Sequence, residues 1–227
     1  MTPLSADVLA VIPARGGSRG LPRKNVLQFC GRPLIAWTIA AALESGVAGR
    51  VIVSTDDEEI AAVAREAGAE VPFLRPAELA TDEATTLDVA LHLLDTLALK
   101  PAWLLLLQPT SPLRTASDIC AAAALAGESD AVVSLASASQ WLHRVDRDGF
   151  LEPLVDVPMT RRQDAPPAYA LNGAIYLVRT EALRRERTFC PRRTRAYIMP
   201  PERSVDIDTA LDWTWAQMLA EDSPCSG

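Results

Sequence analysis

The feature that most constrains the fold of this chain is a regular alternation of short apolar runs with longer amphipathic segments. Apolar runs that read as strands lie at residues 8–13, 50–55, 71–74, 103–107, 131–135, 173–178 and 196–199. Segments with helical periodicity lie at about residues 33–45, 57–67, 86–97, 116–126 and 209–221. Because continuous apolar runs are typical of strands buried on both faces, the alternation predicts a mostly parallel α/β sheet between two layers of helices. In such sheets, ligands bind beyond the carboxyl ends of the strands.

The alternation breaks between residues 136 and 168. This stretch is polar, contains proline, and scatters Trp141, Phe150 and Leu154 among charged residues. It predicts a hairpin arm that leaves the sheet and meets a second subunit. The alternative is an irregular loop, although long loops without structure are rare in compact domains. The fold class predicted for residues 1–227 is therefore one α/β domain, with a three-layer, Rossmann-like sheet and a dimerisation arm at residues 136–168.

Composition narrows the possible partners. A net charge of −7 argues against a nucleic-acid partner and against an anionic membrane. The apolar runs are too short to span a bilayer, the first residues lack the pattern of a signal peptide, and the four cysteines show no CxxC or zinc spacing. These features predict a cytoplasmic protein with reduced thiols. Any anionic ligand must then bind in a local basic pocket.

The first strand runs into a basic, glycine-rich loop at residues 12–25, with the sequence IPARGGSRGLPRKN. Glycines allow tight turns that point backbone N–H groups at an anion, and cations offset its charge. The residues that supply these properties are Gly16, Gly17, Gly20, Arg15, Arg19, Arg23 and Lys24. The loop lacks the Gly-Lys-Ser/Thr of a Walker motif and the spacing of GxGxxG. Its position after a buried strand favours a polyphosphate site over a solvated basic turn.

A second feature is the segment SVDIDT at residues 204–209. In an extended chain, side chains two residues apart face the same side, so Asp206 and Asp208 can offer two carboxylates to one cation. This arrangement suits Mg²⁺ that is shared with phosphate oxygens. The alternative is that Asp208 caps the final helix. The polyphosphate loop elsewhere in the chain favours the metal.

Polar residues at other strand ends are further candidates. Gln108 follows the most apolar run, where its amide can fix a polar ligand, whereas Ser111 and Arg114 are expected to shape and anchor the turn. Residues 55–57 (TDD) are expected to start the next helix.

A last cluster surrounds the predicted strand at residues 173–178. Arg162 and Asn172 can clamp a carboxylate and sugar hydroxyls. Tyr176 belongs either to that site or to the core. The many arginines of residues 184–195 are typical of a solvated face and not of a nucleic-acid patch.

The motifs ARGGSRGLPRKN, VSTDDEEI, LRPAELATD, LQPTSPLR, LNGAIY and SVDIDT occur together in one order. As a set they resemble the acylneuraminate cytidylyltransferases, also called CMP-sialic acid synthetases, from residue 8 to about residue 213. The resemblance implies that the anomeric hydroxyl of a nine-carbon acidic keto sugar attacks the α-phosphorus of CTP, and that Mg²⁺-bound pyrophosphate leaves. It also implies a homodimer in which the arm at residues 136–168 completes the neighbouring sugar site.

The resemblance implies roles for individual residues as well. Positions that bind the triphosphate match Arg15, Ser18 and Lys24, within a nucleotide-binding loop that includes Ala14, Gly16, Gly17 and Arg19. Positions around the cytidine match Asn25, Arg75, Ala84 and Thr86, and positions around the acidic sugar match Gln108, Arg162, Tyr176 and Phe189. The metal carboxylates match Asp206 and Asp208. The loop cations Arg15 and Lys24 and the two carboxylates are expected to catalyse by positioning and charge neutralisation.

Two residues depart from the family pattern. Arg19 replaces the usual lysine, which keeps the charge but changes its donor geometry. Ala170 stands where many members have arginine, so a cation is missing beside the acceptor. The expected acceptor is sialic acid or a related nonulosonate such as legionaminic or pseudaminic acid, with Kdo or a phosphonate as alternatives. A metal-dependent glycosyltransferase and a non-catalytic nucleotide-binding protein are the alternatives from other classes.

Overall fold

The computed structural model describes residues 7–17, 20–139, 141–154, 161 and 166–222. Its strands are β1 (Val8–Pro13), β2 (Gln28–Phe29), β3 (Arg32–Pro33), β4 (Arg50–Ser54), β5 (Trp103–Leu106), β6 (Ala131–Ala138), β7 (His143–Val145), β8 (Leu151–Pro153), β9 (Ala168–Arg179) and β10 (Thr194–Ile198). A six-stranded central sheet has the order β10-β6-β9-β5-β1-β4. β1 is parallel to β4 and β5, and β10 is parallel to β6, whereas β9 is antiparallel to both neighbours. The predicted mostly parallel sheet is therefore confirmed.

The helices are α1 (Leu34–Ser45), α2 (Glu58–Glu66), α3 (Thr86–Thr96), α4 (Ala116–Ala124), α5 (Thr180–Glu186) and α6 (Ala210–Asp222). Side-chain caps fix several of their first turns. Asp57 accepts a hydrogen bond from a backbone N–H of α2, and threonine–aspartate capping boxes open α3 and α4. Each such cap stabilises a helix by about 1 kcal/mol. The expectation that residues 55–57 start a helix is confirmed.

Alternate side chains of β1 enter two different cores. Val8, Ala10 and Ile12 pack with residues of α1, α2 and α4. Leu9 and Val11 pack with α3 on the other face of the sheet. Successive side chains of a strand point to opposite faces, so a strand between two helical layers is apolar at every position. This is why the continuous apolar runs predicted a three-layer architecture correctly.

Some predicted element boundaries are wrong. The strand expected at residues 71–74 is absent: Glu70 makes only an isolated bridge with Ile52, and Pro72, which has no N–H to donate, follows soon after. The sheet also continues into the predicted arm, because β6 and β9 remain paired as far as Ala138 and Ala168. The excursion therefore begins at residue 139 and not at residue 136.

The excursion contains the predicted hairpin. β7 and β8 pair in antiparallel fashion, with Val145 opposite Leu151. Both side chains and that of Phe150 are about two-thirds exposed, at 65%, 69% and 70%. The contact of this hairpin with a second subunit stays a prediction.

An irregularity in the pairing of β6 with β9 brings β9 close to the loop that follows β5. Val133 pairs with Tyr176 and Leu135 pairs with Leu171, so one residue of β6 stands opposite residues 172–175 of β9. This is a β-bulge, a feature that bends a strand and re-aims its side chains. Gly173 within the bulge has a φ of +75°, in the left-handed region that favours glycine.

Among the described residues, no helix combines the length and the apolarity that membrane crossing requires. The predicted cytoplasmic location and the predicted lack of a nucleic-acid partner stay predictions.

Candidate active site

A cavity of about 610 Å³ lies at the carboxyl ends of β1 and β5. It brings together, from the predicted site, Arg15, Lys24, Asn25, Arg75, Ala84, Thr86, Gln108, Asp206 and Asp208. Pro13 at the end of β1 and the segment after β5 form part of its wall. A doubly covered parallel sheet binds its ligands at this edge, because the loops that follow the strands meet there.

The loop after β1 is held against the sheet by hydrogen bonds to its backbone. The Gly16 N–H donates to Asp56 Oδ1 over 3.1 Å. Asn25 Nδ2 donates to the Arg15 carbonyl oxygen over 3.1 Å, which joins the two ends of the loop. These bonds hold the side chain of Arg15 beside the cavity.

Gly20 places the same loop against the segment that carries the two carboxylates. A Cβ atom at Gly20 would lie 1.9 Å from the Asp208 carbonyl oxygen, so only glycine permits this approach. Of the other predicted loop residues, Ala14 is buried, Gly16 is half-buried, Gly17 is exposed, and Ser18 and Arg19 lie outside the described residues.

Three cations that border the cavity each hold an acidic partner. The pairs are Arg15 Nη1 with Asp82 Oδ1 at 2.8 Å, Lys24 Nζ with Asp208 Oδ1 at 2.9 Å, and Arg75 Nη2 with Asp56 Oδ1 at 3.3 Å. Lys24 and Arg75 are buried. Burial lowers the pKa of Arg75, and Asp56 opposes that effect. A buried cation needs a counter-charge, which a phosphate group can supply as well as a carboxylate.

A fourth cation, Arg23, joins the loop to the start of α2. Its guanidinium forms ion pairs with Asp57 and Glu59. The hydrogen bond from Arg23 lowers the pKa of the Asp57 carboxyl despite partial burial. Because Asp57 also caps α2, the loop and the helix share one anchor.

Asp206 and Asp208 occupy different surroundings at the same end of the cavity. Asp206 is half-buried, and its Oδ1 is buried without a hydrogen-bond partner among the described residues. Burial raises the pKa of its carboxyl against an opposing hydrogen bond from Thr110, and the negative charge of Asp208 adds to the rise. Asp208 is exposed and pairs with Lys24.

The alternative that Asp208 caps the final helix is wrong. Thr209 performs that role, because its Oγ1 accepts the Asp212 N–H over 3.3 Å and Asp212 Oδ2 accepts the Thr209 N–H over 2.7 Å. This reciprocal pair is a capping box. The Asp208 side chain is therefore left facing the cavity and Lys24.

The two carboxylates fit a divalent cation. A buried carboxylate oxygen without a partner, beside a second carboxylate, is the kind of hard oxygen ligand that Mg²⁺ prefers. The described part of the chain contains no group of three or more His, Cys, Asp or Glu side chains that could hold a metal by themselves. The remaining ligands would then be phosphate oxygens and water.

The residues matched to the cytidine carry hydrogen-bonding atoms that the described protein does not use. Asn25 Oδ1 and Arg75 Nε are buried and have no partner among the described residues. The Arg75 backbone N–H donates to the Thr55 carbonyl over 2.7 Å, which fixes its position beside the carboxyl end of β4. Ala84 and Thr86 flank Thr85, the N-cap of α3, and also line the cavity.

Only some of the residues matched to the acidic sugar line the cavity. Gln108 lines the cavity, and Arg162 lies outside the described residues. Tyr176 and Phe189 pack with their ring centroids 5.8 Å apart against the core on the α3 face of the sheet, and the residues that line the cavity do not include them. Burial raises the pKa of Tyr176, and the charges of Cys190 and Asp206 add to the rise.

Two further residues of this region lie in β9. Asn172 is buried and its amide bonds within the protein, to Ser134 and Ser204. Ala170 is exposed on the extended part of the strand, opposite Ala136.

Sequence reasoning assigned no role to several cavity residues. Asp82 is the ion-pair partner of Arg15, the Thr81 carbonyl accepts from Arg15 Nη1 over 3.3 Å, and Thr110 hydrogen bonds with Asp206. Asp82 and Thr110 stand within the motifs LRPAELATD and LQPTSPLR. The motifs thus contained the signal, but the choice of partner depends on contacts between distant segments.

Comparison with known proteins agrees with the resemblance seen in the motifs. The family model described as Cytidylyltransferase matches residues 9–193. A CMP-N,N'-diacetyllegionaminic acid synthase of Legionella pneumophila is 37% identical over 223 residues, which cover 94% of this chain and 96% of that relative. A pseudaminic acid cytidylyltransferase of Campylobacter jejuni is 33% identical over 93% of this chain and 95% of that relative. An N-acylneuraminate cytidylyltransferase of Escherichia coli is 37% identical over 94% of this chain, and the match spans about half of that relative, 52%.

Solved structures share the fold. A CMP:2-keto-3-deoxy-manno-octonic acid synthetase complexed with CTP has a TM-score of 0.70 at 18% identity, over 95% of this chain and 98% of the other. A 4-diphosphocytidyl-2C-methyl-D-erythritol synthase from Anaerococcus prevotii has the same TM-score of 0.70 at 11% identity. The predicted Rossmann-like α/β class is confirmed. Since the family model covers most of the chain and relatives match nearly all of it, the chain belongs to the cytidylyltransferase family of nucleotidyltransferases.

Proposed function

We propose that this protein transfers CMP from CTP to the anomeric hydroxyl of an acidic nine-carbon sugar and releases pyrophosphate. The observation that carries the proposal is the single cavity that joins Arg15 and Lys24, the carboxylates Asp206 and Asp208, and Gln108. Relatives named for legionaminic, pseudaminic and acylneuraminic acid support an acceptor of the nonulosonic acid class.

The triphosphate would lie along the loop after β1. Arg15 and Lys24 already face the cavity, paired with Asp82 and Asp208. Phosphate oxygens offer stronger and more numerous charge-assisted bonds than one carboxylate, so a bound triphosphate can replace these partners. We assign the cytidine to Asn25, Arg75, Ala84 and Thr86, because unused polar atoms of Asn25 and Arg75 are buried there.

In the proposed reaction, the acceptor hydroxyl oxygen forms a bond with the α-phosphorus, the bond from that phosphorus to the pyrophosphate oxygen breaks, and the hydroxyl proton is released. The chain contributes by holding the two reactants in line and by offsetting charge on the departing pyrophosphate. Arg15 and Lys24 supply that charge. Gln108, Tyr176, Phe189 and Arg162 would position the acidic sugar.

Mg²⁺ is the metal we assign to Asp206 and Asp208. When bound there, it would offset phosphate charge and lower the pKa of a coordinated hydroxyl. The support is the buried, unpartnered Oδ1 of Asp206 beside the exposed carboxylate of Asp208. Lys24, which now holds Asp208, would then be free to reach a phosphate group.

The proposed assembly is a homodimer formed through the hairpin β7–β8. The support is the apolar surface that this hairpin exposes, including Val145, Phe150 and Leu151. Contiguous exposed apolar patches of this kind are typical of protein interfaces.

The test of the reaction is a pyrophosphate-release assay with CTP, Mg²⁺ and a panel of sialic, legionaminic and pseudaminic acids, Kdo and small phosphonates. We expect release with at least one nonulosonic acid. Because Ala170 leaves no cation on that part of β9, the panel also decides between nonulosonates and the other anionic acceptors. Release with none of the acids, despite CTP binding, would indicate a non-catalytic nucleotide-binding protein.

Asp208→Asn tests the metal assignment within the same assay. The substitution keeps the shape and removes the charge that a hard cation needs, so we expect turnover to fall by about 100-fold or more with the fold intact. Asp95→Asn is the matched control, since it makes the same change in charge at the far end of α3 from the cavity. Near-normal turnover of Asp208→Asn would remove Asp208 from the metal site.

A further inference from the structure

A buried hydroxyl fills the bulge between β6 and β9. Ser134 is the residue of β6 that faces the bulge, and it is 1% exposed. Its Oγ donates to Asn172 Oδ1 over 2.6 Å and accepts the Ile175 N–H over 2.8 Å. A bulge leaves polar groups without partners in the strand ladder. The serine hydroxyl therefore satisfies groups that strand pairing alone cannot.

Asn172 connects the bulge to the segment that contains Asp206 and Asp208. Its Oδ1 also accepts the Ala174 N–H over 3.3 Å, and its Nδ2 donates to Ser204 Oγ over 3.0 Å and toward Met199 Sδ over 3.3 Å. A side-chain amide has two acceptor sites and two donors, so these contacts leave none for a sugar. Ser204 stands two residues before Asp206.

The other side of the bulge is tied to Gln108. Arg114, which is 2% exposed, donates to the Ala174 carbonyl over 3.0 Å and to the Gln108 carbonyl over 3.3 Å. Gly173 lies in the bulge between Asn172 and Ala174. A Cβ atom at Gly173 would lie 2.4 Å from Gln108 Oε1 and 3.6 Å from Asp206 Oδ2. The bulge thus touches both the acceptor amide and the metal carboxylate.

From this network we infer that Ser134 is a positioning residue, whose hydroxyl fixes the bulge and, through Asn172, sets the position of Asp206 relative to Gln108. Asn172 then acts through Ser204 and does not contact the acceptor. The inference rests on the proposed function, because it assigns a use to the positions of Gln108 and Asp206.

Ser134→Ala tests the inference, since it removes the hydroxyl and adds no volume. Groups that orient a metal ligand change metal affinity or activity by roughly 10–100-fold. We therefore expect the affinity for Mn²⁺ in the presence of CTP, measured by electron paramagnetic resonance of free Mn²⁺, to fall about 10-fold. We expect kcat to fall by a similar factor, and KM for the acceptor to stay within about twofold. Asn172→Ala should give the same pattern, and Ser134→Thr, which keeps the hydroxyl, should restore Mn²⁺ affinity.

Ser129→Ala is the matched control. Ser129 is also buried, and its hydroxyl donates to the Ala126 carbonyl just before the opposite end of β6. Its removal should lower the unfolding midpoint about as much as Ser134→Ala does, without changing Mn²⁺ affinity or kcat. A loss of activity that merely follows stability would appear in both variants.

Wild-type Mn²⁺ affinity in Ser134→Ala would overturn the inference. So would a raised acceptor KM with unchanged Mn²⁺ affinity in Asn172→Ala, because that result means direct contact with the sugar. If Ser134→Ala does not fold, the Mn²⁺ affinities of Asn172→Ala and Ser134→Thr are compared instead. Failure of every acid in the pyrophosphate assay would contradict the proposed function. The Mn²⁺ measurement would still test the role of Ser134, because Mn²⁺ binding with CTP needs no acceptor.

Discussion

Gly173 combines a constrained backbone with a tight approach to two side chains that line the cavity. Its φ of +75° lies in the left-handed region, where a Cβ atom costs about 1–2 kcal/mol. A Cβ atom there would also meet Gln108 Oε1 at 2.4 Å. The backbone conformation and the geometry of the site therefore depend on the same residue.

Gly173→Ala should reduce both stability and turnover. We expect a loss of about 1–2 kcal/mol from backbone strain, measured by chemical unfolding, and a fall in kcat of at least about 10-fold because Gln108 is displaced. Gly46→Ala separates the two effects, since Gly46, at the end of α1, has a φ of +60° but no atom within 4 Å of the position that a methyl group would take. The control should lose stability alone. Equal turnover in the two variants would mean that the approach of Gly173 to Gln108 has no functional role.

At the scale of single residues, the sequence predicted which side chains gather but not how they pair. Gln108, Arg75 and Asp206 come together in the cavity, and their residue types and motif positions were enough to select them. The pairing of Arg15 with Asp82 was not predictable, because no local pattern states which distant acid reaches a given arginine. The same holds for Ser134, a serine in an apolar strand whose partner lies across a bulge.

At the scale of elements, one buried carboxylate joins α4 to the segment that precedes Asp206 and Asp208. Asp118 in the first turn of α4 is 1% exposed and accepts hydrogen bonds from Arg203 and Tyr197. Burial alone would raise the pKa of Asp118, but the bonds from Arg203, Thr115 and Tyr197 together lower it. For Tyr197, burial and the bond to Asp118 raise the pKa to about 12.

The contribution of Asp118 should depend on pH. Because folding lowers its pKa below the ordinary value of 3.8, the stabilisation is complete above that value and disappears as pH falls through the lower folded value. We expect Asp118→Asn to cost about 1–3 kcal/mol from about pH 5 to pH 7 and progressively less below about pH 4. Urea unfolding at several pH values measures this difference. A difference that stays constant into strong acid would show that the charge of Asp118 does not stabilise the fold.

Elements with an apolar run or a cap were predictable, and those defined by tertiary contacts were not. Thr115 and Asp118 form the capping box at the start of α4, and this pattern is visible in the sequence. The first half of β9 carries no such signal, because Tyr169 and Leu171 are exposed and the bulge interrupts its period. The short helix α5 was missed because its few apolar residues stand among arginines.

At the scale of the whole molecule, the hairpin β7–β8 exposes apolar side chains that a single subunit leaves in contact with water. Its paired residues Val145 and Leu151 and the adjacent Phe150 are all mostly exposed. Apolar side chains of this size contribute about 1.5–3 kcal/mol each when they are buried. A second subunit that covers the hairpin would recover that free energy.

Phe150→Asp should therefore weaken the proposed dimer. We expect the wild type to run as a dimer and the variant to shift toward monomer, measured by size-exclusion chromatography with light scattering. Leu43→Asp is the matched control, because Leu43 is an exposed leucine on α1, away from the hairpin. A wild type that is monomeric at all concentrations, or a dimer unaffected by Phe150→Asp, would contradict the proposed interface.

The ion pairs around the cavity have a consequence for the order of events in a catalytic cycle. Arg15, Lys24 and Arg75 are each matched by a carboxylate of the protein itself. Under the proposed reaction, CTP enters by exchange, and its phosphate groups take over Arg15 and Lys24 from Asp82 and Asp208. Once pyrophosphate has left, the product carries one phosphate group and competes poorly for these two cations. The carboxylates then form their ion pairs with the cations again. Because they compete with the product phosphate for these cations, they favour product release.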